Sequence, residues 1–170
     1  MKTSVKYSEI WVIAYPIIIG SVAQNIINIT DTAFLGRVGQ VALGAGAIGG
    51  IFYLVSSMLC WGFGIGTQII IARRNGEQAF LDIGKTFQHG FYFQLPLILV
   101  LFSLMQFFSG DILHLIIKSE PVYEATREFI SYRSYGIFFA GINMLFRGFY
   151  IGIARTKVIT WTTLLMAVLN

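Results

Sequence analysis

Uncharged, apolar stretches divide this chain. The first, IWVIAYPIIIGSVAQNIINIT, lies between Glu9 and Asp31; the second runs from Val38 to Ala72 and the third from Thr86 to Gly110. A fourth, from about Phe129 to Ile153, is interrupted by Arg133 and Arg147, and a fifth begins after Lys157 and is still apolar at Asn170. A helix crosses about 30 Å of hydrocarbon with roughly 20 mainly apolar residues. The pattern therefore predicts an all-α, polytopic transmembrane helix bundle, with about four complete spans at 10–35, 42–72, 86–110 and 127–152 and part of a fifth at 158–170. The run between Arg37 and Arg73 leaves no face for water, as a soluble helix would need. The first run is too long, and too rich in amides, for a cleavable signal peptide. Ending in mid-helix, the chain reads as truncated, because half a span leaves lipid-facing backbone to be satisfied.

The polar positions inside the first span are ordered. At about 100° per residue, Ser21, Gln24, Asn25, Asn28, Asp31 and Thr32 fall within an arc of roughly 120°. Ile19, Val22, Ile26, Ile27, Ile29 and Phe34 take the rest; Thr30 breaks the pattern, and its hydroxyl can bond back to its own helix. An ionised carboxylate at mid-span costs about 2.5–3.5 kcal/mol on insertion scales, so this stripe is expected to avoid lipid. It either lines an aqueous cavity with Asp31 as a titratable or cation-binding group, or forms a helix-packing seam with Asp31 paired to a base such as Arg133. Pro16, one turn into the span, is either a hinge or a static kink.

Composition and charge agree with the membrane reading: 56% of residues are hydrophobic, 12% are charged and the formal net charge is +4. Such a basic excess in so apolar a chain marks orientation rather than nucleic acid. Counting Lys2, Lys6, Arg73, Arg74, Lys85, Arg147, Arg155 and Lys157 on one side against Arg37, Lys118 and Arg127 on the other puts the N-terminus of a multi-pass membrane protein in the cytoplasm. A single cysteine excludes a disulfide framework.

Other candidate motifs lose their force in context. Gly44-x-Gly46-x-x-Gly49 matches the dinucleotide fingerprint, but no strand precedes it and no acid follows about 20 residues on. These glycines, with Gly62, Gly64 and Gly66, read as close-packing residues. The sequon at Asn28 lies within a span. His89 and His114 lack partners at ligand spacing, and Cys60 reads as a packing residue. Trp11, Trp61 and Trp161 suit an aromatic belt, Arg133 is expected to snorkel toward the outer face, and Asn170 to seek a partner on another helix. With no nucleophile beside a base, no metal cluster and no cofactor motif, enzymatic chemistry has no support.

Pro16, Asp31-Thr32-Ala33-Phe34-Leu35-Gly36-Arg37-Val38-Gly39, Gly62-Phe63-Gly64-Ile65-Gly66-Thr67-Gln68, Ala72-Arg73-Arg74-Asn75-Gly76-Glu77 and Tyr132-Arg133 through Arg155-Thr156-Lys157 to Asn170 together resemble multidrug and toxic compound extrusion (MATE) transporters. The likeness covers essentially all of 1–170. It implies an incomplete first lobe of a twelve-helix transporter, with the C-terminal remainder absent. It also implies export of small cationic, amphipathic compounds in exchange for protons or sodium ions, with no other cofactor. Position by position it matches Asp31 to a first-helix ion-site carboxylate and Asn170 to a nearby fifth-helix asparagine; Arg73 stands where many relatives carry glutamine. A flippase for lipid-linked precursors, expected to show several cationic residues on its cavity-facing helices, and a non-transporting helical subunit remain the alternatives.

Overall fold

A computed structural model describes residues 7–169 as six helices: α1 (Tyr7–Val38), α2 (Gln40–Gly76), α3 (Phe80–Ile116), α4 (Glu120–Arg133), α5 (Gly136–Gly152) and α6 (Lys157–Leu169). Asn170, Lys2 and Lys6, invoked above, lie outside the described residues. Of these helices α2 and α3 are long and apolar enough on composition to cross a membrane. The first helix, at 32 residues, also has the length to cross.

The fourth apolar segment differs from its expected form. It begins earlier, with Pro121 in the first turn of α4, and its hydrogen-bond ladder is interrupted at Ser134 and Tyr135. Both residues keep right-handed helical dihedrals. The Ile137 amide bonds to the Ser134 carbonyl, a tightened turn, so the chain continues into α5 without reversing direction. Ser134 is fully buried there, its hydroxyl 2.9 Å from both the Ser131 carbonyl and Gln106 Oε1 on α3.

In α2, size more than polarity separates inside from outside. The second helix buries Ala45, Gly49, Cys60, Gly64, Thr67 and Ile71, nearly all small, while Ile51, Leu54, Val55, Met58 and Leu59 point outward. Soluble proteins rarely expose such apolar surface; in lipid it is the expected arrangement, because helix association rests on close van der Waals approach rather than on water exclusion. The approach is closest between α2 and α5. A Cβ added at Gly148 would sit 2.5 Å from the Gly64 carbonyl oxygen, and one added at Gly64 would sit 2.9 Å from the Met144 carbonyl oxygen. Ile98 on α3 similarly occupies the space over Gly141.

Gln94 ties these three helices together. It is 1% exposed, and its Nε2 donates to the Cys60 carbonyl on α2 (3.4 Å) and the Gly141 carbonyl on α5 (3.1 Å). Phe87 stacks against Phe146 and Phe149, and Phe102 against Tyr135 and Phe138, closing the α3–α5 seam.

Packing-glycine expectations hold in part. Gly44, Gly46, Gly49 and Gly64 meet Val122, Leu35, Phe129 and Met144, whereas Gly62 and Gly66 face open space. They line a groove with Phe63, Phe93 and His89, because residues two positions from Gly64 turn to another side of the helix. Trp61 lies within α2, which continues to Gly76.

The turns after α2 and α5 share one bond pattern. Glu77, Gln78 and Ala79 donate to Arg73, Asn75 and Arg74; Ile153, Ala154 and Arg155 donate to Phe149, Ile151 and Tyr150. In each, a non-glycine residue takes the left-handed conformation, Gln78 at φ 57° and Ala154 at φ 58°. Both turns lie at one end of the bundle, and the first is braced by Glu77, which accepts from Arg73 (3.0 Å) and Arg74 (3.2 Å).

Candidate functional site

The first helix packs chiefly on α6 and less on α2. Among the described residues its buried line is Pro16, Gly20 and Ala23, which share one face at helical spacing. Thr160 of α6 donates its hydroxyl to the Pro16 carbonyl at 2.7 Å, and a Cβ on Gly20 would meet Thr163 Oγ1 at 3.7 Å. The two faces expected from sequence, one for lipid and one for water, therefore omit a third. Packing occupies a strip between them, and Ile27, assigned above to the lipid side, is half-buried on it.

The polar stripe flanks that strip and is exposed along its length. Ser21 donates to the Ile17 carbonyl, Asn25 to the Ser21 carbonyl, Thr32 to the Asn28 carbonyl, and Thr30, off the stripe, to the Ile26 carbonyl. These back-bonds let Ser21, Asn25, Thr30 and Thr32 satisfy a polar group within their own helix. Gln24 lies on the edge of the stripe nearest the packed strip. It enters the wall of a cavity of about 550 Å³ between the α1–α6 pair and the core. Asp31 lies seven residues further on the same face, about 10 Å along the axis at 1.5 Å per residue.

The remaining wall was not anticipated. The fifth helix contributes Gly136, Ala140, Asn143, Arg147 and Tyr150, α6 contributes Ile159, Thr162 and Thr163, α2 contributes Tyr53, and Arg133 comes from the end of α4. Arg133 does not extend toward the outer face as expected; its guanidinium carbon lies 4.6 Å from the centre of the Tyr53 ring. A cation over an aromatic face is stabilised by about 0.5–1 kcal/mol at exposed sites, which favours folding back onto α2. Arg147, counted above with a loop, lies within α5, because that helix continues to Gly152. The spacing Arg133–Ala140–Arg147, with Gly136–Asn143–Tyr150 beside it, repeats every seven residues and carried this signal.

Ion pairs among the described residues cluster at the α2–α3 turn: Arg73 and Arg74 with Glu77, and Lys85 with Asp82. Hydrogen bonds from Arg73, above all, together with the nearby positive charge, hold the Glu77 carboxyl below its ordinary range. No three His, Cys, Asp or Glu among the described residues come together to hold a metal ion. His114 packs edge-on against Tyr123 with ring centres 5.2 Å apart.

A family model, MatE, matches residues 16–170. The chain is 27% identical over 83% of its length to a probable multidrug resistance protein NorM of Idiomarina loihiensis, covering 30% of that protein. It is 24% identical over 94% of its length to a NorM protein of the same description from Agrobacterium fabrum, covering 34% of it. A third, from Aromatoleum aromaticum, is 28% identical over 81% of the chain and 29% of the relative. The chain thus spans about a third of the length of these curated relatives. No solved structure is significantly similar to it.

Proposed function

Because the chain belongs to the MatE family, we propose that it forms the first part of a secondary antiporter that exports cationic or amphipathic compounds, drugs among them, in exchange for protons or sodium ions. The observation that carries this reading is the register of α1. Gln24 is in the cavity wall and Asp31 follows two turns on along the same face, which supports reading the carboxylate as a group that serves the cavity's polar side. Asn25, Asn28, Thr32 and Asn170 would complete the polar lining. Ion-coupled alternating access of this kind places the coupling group near the bilayer midplane, on helices whose surroundings change between states. Desolvation there favours the neutral carboxyl and an aqueous opening favours the ionised one, so opening to either side shifts proton occupancy. Pro16, within the α1–α6 contact, would let α1 bend as that change occurs. The protein would sit in the bacterial inner membrane with its N-terminus in the cytoplasm.

One observation favours a second reading, a flippase for a lipid-linked precursor: two arginines line the cavity, as an anionic headgroup would require. The family match and the carboxylate on α1 favour the antiporter.

Asp31→Asn is expected to lower gradient-driven ethidium efflux by at least about tenfold in cells expressing the protein from its complete gene, an effect of about 1.4 kcal/mol or more. Its amount in the membrane and its melting temperature should be unchanged. Undiminished efflux in a well-expressed variant would remove the coupling role.

A further inference from the structure

The cavity wall holds a charge that the proposed coupling chemistry does not use. Arg147 is half-buried, lies one helical turn after Asn143 on the same face of α5, and borders a second, smaller cavity beside Gln68 of α2. It takes part in none of the ion pairs among the described residues, and no carboxylate lines the cavity. Arg133, in the same wall, is set over Tyr53; the two arginines are 14 residues apart, roughly 20 Å of helix, and so act as separate stations.

A lysine in such a place could neutralise itself by losing a proton. An arginine cannot, because its guanidinium stays charged at every physiological pH. Charged groups within membrane spans turn toward a cavity or a partner because lipid will not accept them, and they mark substrate and ion pathways. A planar fork of donors with an amide one turn away suits a planar, two-oxygen anion.

We infer that Arg147, assisted by Asn143, is a recognition site for the carboxylate of an amphipathic cargo molecule. This rests on the export reading above and deepens it: the preferred cargo carries an acid as well as a cation, with the cationic end directed to the stripe that bears Asp31. The cavity thereby separates zwitterionic amphiphiles from simple cations, for which Arg147 is a repulsive neighbour.

The test uses norfloxacin, which carries a carboxylate and an ammonium, and its ethyl ester, which keeps the ammonium and loses the acid. Binding of each to the purified full-length protein is followed by the probe's own fluorescence. The native protein should bind the acid about tenfold more tightly than the ester. Arg147→Gln should erase that preference by weakening the acid alone, Arg147→Lys should keep part of it, and ethidium should bind Arg147→Gln as well as or better than the native protein. Equal binding of acid and ester to the native protein, parallel loss of both in the variants, or no binding of either would overturn the inference. The lysine variant keeps the charge, so it reports even if the glutamine variant does not fold. Failure of the export reading is seen separately, as absence of gradient-dependent ethidium efflux from cells, whatever the binding preference.

Discussion

The core formed by α2, α3 and α5 and the pair formed by α1 and α6 are built from the same apolar residue types but hold together differently. In the core, backbone touches backbone: Gly148 lies against the Gly64 carbonyl, Ile98 fills the space over Gly141, and Gln94 bonds to carbonyls on both neighbours. In the pair, contact is narrower: Pro16, Gly20 and Ala23 on one side, and Thr160 and Thr163 on the other. The polar stripe of α1 stays exposed beside that seam, and the cavity opens where the pair and the core part company. In lipid, where burying apolar surface brings no general gain, small residues decide which helices can come close. The difference makes the core the more closely packed of the two, while both contribute side chains to the cavity wall.

The comparison breaks most sharply at Gly148. Gly148→Leu should push α2 and α5 apart, because even a methyl group there meets backbone. Overpacking typically costs about 1–3 kcal/mol and occasionally more, so folded protein on detergent size-exclusion should fall severely. Gly62→Leu, on the same helix pair but facing open space, should leave the profile intact. Equal tolerance of both would remove the backbone-contact account of the core.

Thr160→Val sharpens the contrast from the other side. It keeps the shape of the side chain and removes the donor to the Pro16 carbonyl. Interhelical hydrogen bonds in membranes average about 0.6 kcal/mol, so a small fall in melting temperature is expected. Amide exchange should rise in α1 and α6 while α2 and α5 keep their protection; a uniform rise would show that the pair and the core form one cooperative unit.

The smallest effect belongs to Glu77. Its carboxyl is held below the ordinary range by Arg73 and Arg74, so the contribution to the turn is present above the unfolded-state pKa and fades as pH falls through the folded-state value. Glu77→Gln should therefore speed amide exchange around Glu77 and Ala79 slightly at neutral pH. It should make no difference once the pH is low enough to protonate the native glutamate. Lying at the solvent-exposed turn, the group contributes little to global stability, and the α1–α6 pair should not respond.

Much of the helical outline was legible in the chain because each apolar run and each interrupting charge acts locally. The interruption at Ser134 was not, since both residues there keep helical dihedrals and the change lies in one tightened hydrogen bond beside Gln106. The stripe from Ser21 to Thr32 was legible from periodicity, whereas the buried line at Pro16, Gly20 and Ala23 was hidden among residues that look equally suited to lipid. Arg133 and Arg147 were visible as charges, and their seven-residue spacing pointed to one face, but assigning them to snorkelling and to a loop concealed the cavity they share.

By itself, then, the amino-acid order determined where hydrocarbon-compatible helices form and that the first carries a polar face, because charge and amide groups in lipid are penalised segment by segment. Only the tertiary structure decided which side of each helix meets another and which arginines look into common space. In a medium as apolar as the side chains themselves, the choice of contacting face follows from steric fit between particular residues far apart in the chain, such as Gly64 and Gly148, and not from hydrophobicity that can be read along it.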